Sequence, residues 1–185
     1  MEFRLIYDGP LKTNAGIRDK HILRKAFHEQ LRILWAQPPL IDFIDYLNAP
    51  STNRNESIII GVDDYRFVPL VCQKLHLICE LEITLLRPEP PGAVITQGGD
   101  IDNRLKTLFD SLRMPKNINE IPTLPLDEKQ TDPIYCLLED DNLITKVSVT
   151  TDRLLRNNAK QNDVVMLIHV VTKAVKTIWG NMGLA

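Results

Sequence analysis

The sequence predicts an α+β fold: a single domain in which one mixed β-sheet is flanked by helices. Three observations carry that expectation. Residues 75–87 alternate strictly, with Leu75, Leu77, Cys79, Leu81, Ile83 and Leu85 on one face and His76, Glu80, Glu82 and Thr84 on the other. That pattern suits a strand with one wet side. Residues 17–36 instead place Ile22, Leu23, Ala26, Phe27, Leu31 and Leu34 at helical spacing. Finally, 185 residues with 44% hydrophobic and 25% charged content is the size and balance of one globular domain spanning 1–185.

The remaining elements follow in order. Residues 2–7 alternate and end at Asp8-Gly9-Pro10, which reads as a first strand and its turn. The helix over 17–36 carries Arg18, Lys20, Arg24, Lys25 and Arg32 off its apolar stripe and stops at Pro38-Pro39. Its basic side reads equally as a solvated face or as a nucleic-acid contact. Leu40–Leu47 reads as a short second helix, and residues 49–57 as a loop. Prolines 88, 90 and 91 end the 75–87 strand. Residues 103–113 form a helix through Leu105, Leu108, Phe109 and Leu112. Residues 114–133 contain prolines 115, 122, 125 and 133 and read as a long loop. Residues 134–138 and 143–150 read as strands on either side of Glu139-Asp140-Asp141-Asn142, and residues 164–171 as a central strand. The tail after Thr172 is open between a helix, an arm and a frayed end.

Several classes are excluded or disfavoured. No run approaches the roughly 18 apolar residues of a membrane span, and the N-terminus lacks a signal-peptide pattern. Cys72, Cys79 and Cys136 are odd in number and none forms a CxxC pair. Buried apolar cysteines in a reducing cytoplasm are therefore expected. A net charge of −2 does not suit bulk coating of nucleic acid, although it leaves a locally charged enzyme open. His21 and His28 read as surface residues of the first helix, His76 and His169 as structural residues of strands, and Trp35 and Trp179 as packing residues.

The chemistry concentrates in two acidic blocks. In GGDIDNRLK (98–106), Asp100 and Asp102 share a face if the chain there is extended, and Gly98-Gly99 permits an unusual backbone path. Asp102 then sits at the N-cap of the next helix, whose polar stripe is Asn103, Lys106 and Asp110. The second block is Glu139-Asp140-Asp141-Asn142. If the blocks meet, the oxygen-only donors Asp100, Asp102, Asp140 and Asp141 suit Mg²⁺, with Mn²⁺ able to substitute. Lys106 beside them would stabilise developing charge. The plainer alternatives are a simple N-cap at Asp102, a solvated turn at Asp140-Asp141 and an i,i+4 pair between Lys106 and Asp110. Asp63-Asp64 is a competing acidic pair with nothing else near it that suggests chemistry.

Taken together, D-I-D-N-x-x-K, then D-S-L, then D-D-x-x-I before a strand, resembles the RusA family of Holliday junction resolvases. The resemblance covers roughly residues 74–150 and matches Asp100, Asp102, Asn103, Lys106, Asp110, Asp140, Asp141 and Ile144. It implies a Mg²⁺-dependent endodeoxyribonuclease acting in DNA recombination and repair. Asp100, Asp102 and Asp141 would be metal ligands, Asp140 the second choice within its pair, and Lys106 catalytic. It also implies a homodimer that cuts branched DNA through attack of activated water on the phosphodiester. DNA contacts are expected from Asn103, Arg104, Arg113 and Lys116, and from Lys20 and Arg24. Two features depart from the family pattern: the proline-rich insertion at 114–133 and the longer stretch at 37–73. Forks, flaps or foreign DNA therefore remain alternative substrates, and a non-catalytic DNA- or partner-binding module remains an alternative role.

Overall fold

The computed structural model describes residues 1–47, 57–89, 100–123 and 133–184. Residues 49–56 of the expected loop, Gly98-Gly99 and residues 124–132 of the 114–133 insertion lie outside the described residues. So does the side chain of Asp100.

Glu2–Pro10 is β1, Leu77–Arg87 is β4, Ile144–Arg153 is β6 and Asp163–Ala174 is β7. Alternating burial marks three of these four longest strands, β1, β4 and β7, whereas the fourth, β6, is largely exposed. Together they form a four-stranded sheet in the order β1-β7-β4-β6. The β1–β7 and β7–β4 pairs are antiparallel and β4–β6 is parallel. One face carries Leu5, Tyr7, Leu81, Ile83, Met166 and Ile168, all buried. The β4 side chains alternate as the sequence predicts, except that His76 lies before the strand in a left-handed turn with φ 50°. His169, on the opposite face, lies 3.3 Å from both Glu2 and Glu82.

The fold departs from one sheet to two. Ile60–Val62 (β2), Tyr65–Val71 (β3) and Ile134–Leu138 (β5) form a second mixed sheet, in the order β2-β3-β5. Asp63-Asp64 is the turn of its hairpin, with Asp63 at φ 54°. One face of this sheet joins the main core through Val68, Leu70 and Leu137. The other holds a smaller cluster of Phe67, Ile134 and Cys136 under Met114 and Ile121.

Two α-helices connect these layers. α1 (Ile17–Trp35) packs on β5 and on α2 (Asp100–Leu112). Its buried stripe is His21, Leu23, Arg24, Phe27, His28, Leu31 and Trp35. The surface placement expected for His21 and His28 is thus corrected: both are at least 95% buried, and His28 Nδ1 accepts a 2.9 Å bond from the Tyr135 amide. Leu40–Leu47 is a 3₁₀ segment with a kink at Phe43 rather than an α-helix. The tail folds back on the core. Buried Asn181 donates to the carbonyls of Leu75 and Lys176, and Thr172 to that of Leu184. Trp179, expected to pack, is 90% exposed. All three cysteines are free and buried, and burial pushes their thiols up to about 11 for Cys72 and about 12 for Cys79 and Cys136. No helix of the described residues is long and apolar enough to cross a membrane.

Candidate metal centre

α2 begins at Asp100, earlier than the sequence predicts. Asp102 is therefore inside the first turn rather than its N-cap, and the Asp100-Asp102 pair is helical rather than extended. The apolar positions Leu105, Leu108 and Leu112 turn toward the core and leave Asp102, Asn103 and Lys106 exposed on the other side. Asp102 and Lys106 stand one helical turn apart on one face. Near the other acidic block, β5 ends at Leu138 and Asp141–Leu143 forms a 3₁₀ turn leading into β6. α2 packs against both β5 and that turn, so the two blocks are neighbours in space.

The two aspartates of the turn do different work. Asp140 caps the turn by accepting from the Asn142 amide at 3.0 Å and pairs with Lys116 at 2.6 Å. Those two partners, Lys116 first, hold its carboxyl down to about 2. Asp141 lies within hydrogen-bonding reach of Asp140 and is exposed, with no ion pair among the described residues. Its carboxylate is the one the turn leaves for another partner.

Asp110 does not pair with Lys106. It accepts from Lys20 at 2.7 Å and Arg113 at 3.0 Å. Burial pushes the Asp110 carboxyl up, but these two cations outweigh it and hold the carboxyl below its usual value. Arg113 also bridges to Glu120 at 2.8 Å. Lys106 is left with no ion pair among the described residues.

Three expected DNA contacts are redirected inward. Arg24, 2% exposed, donates to the carbonyls of Asp110 at 2.8 Å and Arg113 at 3.2 Å, closing the C-terminal end of α2. Arg104, also 2% exposed, donates to the Leu11 carbonyl and fastens the β1–α1 loop to α2. Arg113 is buried and pairs with the half-buried Asp110 and Glu120. Lys20, Asn103 and Lys116 remain at the surface or half-buried.

Cavities open beside this region. One, of about 220 Å³, is lined by Thr13, Asn14, Ala15, Lys20, Asn103, Lys106 and Thr107. The sequence reading missed its Thr13–Ala15 wall, because a short polar loop carries no motif. A larger one, of about 690 Å³, lies between the start of α1 and the β2–β3 turn and includes Arg18, Asp63, Asp64 and Tyr65. None of the acids of the two blocks lines it.

Among the described residues, no three carboxylate, histidine or cysteine side chains are grouped to hold a metal. Asp102, Asp140 and Asp141 are among those described side chains, and Asp100 is not. The donor chemistry itself fits a hard divalent cation: the available groups are carboxylates, and the thiols are buried away from them. No family model, curated protein or solved structure matches the chain.

Proposed function

We propose that the chain is a divalent-metal-dependent endodeoxyribonuclease that cuts branched DNA, with the four-way junction as its preferred substrate. The observation that carries this reading is the partition of charge around α2. Asp110 and Asp140 are occupied by Lys20, Arg113 and Lys116, whereas Asp102, Lys106 and Asp141 stay exposed and unpaired among the described residues, on elements that pack together. Exposed charge kept out of ion pairs on neighbouring elements is what a site for a cation and a phosphodiester needs.

In this reading Asp100, Asp102 and Asp141 hold Mg²⁺, with Mn²⁺ as a substitute, and Asp140 shapes the turn. The ion would supply activation of water and neutralisation of charge at phosphorus. Lys106 steadies the scissile phosphate and the departing 3′ oxygen through its ammonium. Lys20, Asn103 and Lys116 contact flanking backbone. A two-fold pair of such chains would match the near two-fold symmetry of a four-way junction.

The test is cleavage of synthetic four-way junction, fork, flap and linear duplex with Mg²⁺ or Mn²⁺. Asp102→Asn, Asp141→Asn and Lys106→Gln should each slow junction cleavage by about a hundredfold or more, the loss typical of removing one group that stabilises transition-state charge. Asp140→Asn should be milder. If wild type cuts none of these substrates with either metal, the nuclease reading is wrong.

A further inference from the structure

We propose that the cavity between the β1–α1 loop and α2 is a phosphate subsite. It would seat the DNA backbone phosphate next to the scissile one, with Lys20 and Lys106 as its cations. The identity of the polymer rests on the nuclease reading; the subsite itself rests on the cavity.

The cavity is built rather than accidental. Buried Arg104 reaches from α2 to the Leu11 carbonyl, 93 residues away, and the Leu11 amide is bonded to Asn162 at 2.8 Å. These bonds fix the chain as it leaves β1, so Thr13, Asn14 and Ala15 form a wall facing Asn103, Lys106 and Thr107. Those α2 residues sit at i, i+3 and i+4 and share one face. Lys20 closes the third side from the first turns of α1.

The lining chemistry selects an anion. It contains two lysines and no carboxylate. The Asn103 and Asn14 amides and the threonine hydroxyls add neutral donors. Lys20 is ion-paired with Asp110, which does not line the cavity, at 2.7 Å, and this fixes its ammonium, while Lys106 has no ion pair among the described residues. A volume of about 220 Å³ has room for a tetrahedral phosphate with bridging waters. Lys106 also stands about one turn, roughly 6 Å along the axis, from Asp102. The subsite therefore adjoins the proposed cation site, and one strand can run through both.

Binding is measured without cleavage, in EDTA, by fluorescence anisotropy of a labelled four-way junction across a range of KCl concentrations. Cleavage with Mg²⁺ is measured in parallel. Lys20→Gln should weaken binding and reduce the slope of log K against log salt by about 0.9, the value for one lost phosphate contact. Lys20→Arg should restore the slope. Asn14→Asp places a carboxylate in the cavity and should weaken binding by about tenfold. The Asn14 side chain makes no hydrogen bond among the described residues, so this variant decides the matter if thermal unfolding shows Lys20→Gln to be misfolded.

If these changes appear while wild type fails to cut, the subsite stands and the nuclease reading falls. If wild type cuts but Asn14→Asp binds as wild type does and Lys20→Gln keeps the full slope, the subsite is overturned and the nuclease reading is untouched. Inorganic phosphate supplies the last arm. Shifts of the Asn14 and Asn103 amide signals by phosphate, with unchanged DNA affinity in the variants, would mark a free-anion site and overturn the proposal. Failure of wild type to bind DNA would overturn it too.

Discussion

His21 and Arg24 lie one turn apart on the buried stripe of α1, and the fold treats them differently. Arg24 finds two carbonyls, whereas neither ring nitrogen of His21 has a hydrogen-bond partner among the described residues. Burial first, and then the Arg24 and Lys25 charges, push the His21 imidazole down to about 4. The sign of the consequence follows from linkage. With the folded value below the unfolded one near 6.5, the unfolded chain binds the proton more readily. Stability is therefore full above about pH 6.5, declines as pH falls through the window to about 4, and levels off below it. The loss is on the order of 3 kcal/mol if His21 acts alone. Urea unfolding at pH 7 and pH 5 should show the decline in wild type. His21→Leu should remove most of it, and an unchanged acid limb in that variant would refute the assignment. Neither role was legible in the sequence. A basic or imidazole side chain on an amphipathic helix reads as solvated, and only contacts with distant segments such as Asp110 and Arg113 show otherwise.

At the scale of elements, periodicity was legible wherever it was long. β4, β7, α1 and the apolar stripe of α2 lie within a few residues of their expected bounds, because burial of one face enforces the pattern along the whole element. The β2–β3 hairpin was not legible. β2 is short, Pro69 interrupts the reading of β3, and β2 pairs only with Tyr65–Phe67, leaving most of β3 with β5 as its partner. The available clue was the β-branched run Ile58–Val62 before the Asp63-Asp64 turn and the aromatic and aliphatic run Tyr65–Val71 after it. The candidate site divides in the same way. The acids and Lys106 were visible from residue type and order, but which acid is occupied depends on Lys20, Arg113 and Lys116 arriving from other elements. The junction of α1 with α2 offers a direct check on the inward arginines. Arg24→Ala leaves a void and strips a donor from two carbonyls, so it should cost about 2–4 kcal/mol. It should leave the salt slope of DNA binding unchanged in protein that remains folded. A slope reduced as in Lys20→Gln would return Arg24 to the DNA surface.

For the whole molecule, a net charge of −2 conceals a local imbalance. Around the start of α2 and the Asp141 turn, Asp102 and Asp141 stand exposed with no ion pair among the described residues, while the neighbouring cavity is lined by two lysines, Lys106 without an ion pair among those residues and Lys20 held by Asp110 at 2.7 Å. A divalent cation would find carboxylate ligands in the first patch and a phosphate would find cations in the second. Divalent ions should therefore stabilise the folded chain even when no DNA is present. An ion that binds only the folded state at about 100 times its Kd adds about 2.7 kcal/mol. For a chain of this size that corresponds to a rise in Tm of roughly 5–10 °C. The rise should appear with Mg²⁺ and Mn²⁺ in a calorimetric scan, be absent with added KCl of equal ionic strength, and be largely lost in Asp102→Asn and Asp141→Asn. Asp140→Asn should retain most of it, because Lys116 already answers that carboxylate at 2.6 Å. Equal loss in Asp140→Asn would make Asp140 a ligand as well. A Tm insensitive to divalent ions in wild type would remove the cation from the site and leave the exposed acids as a solvated surface.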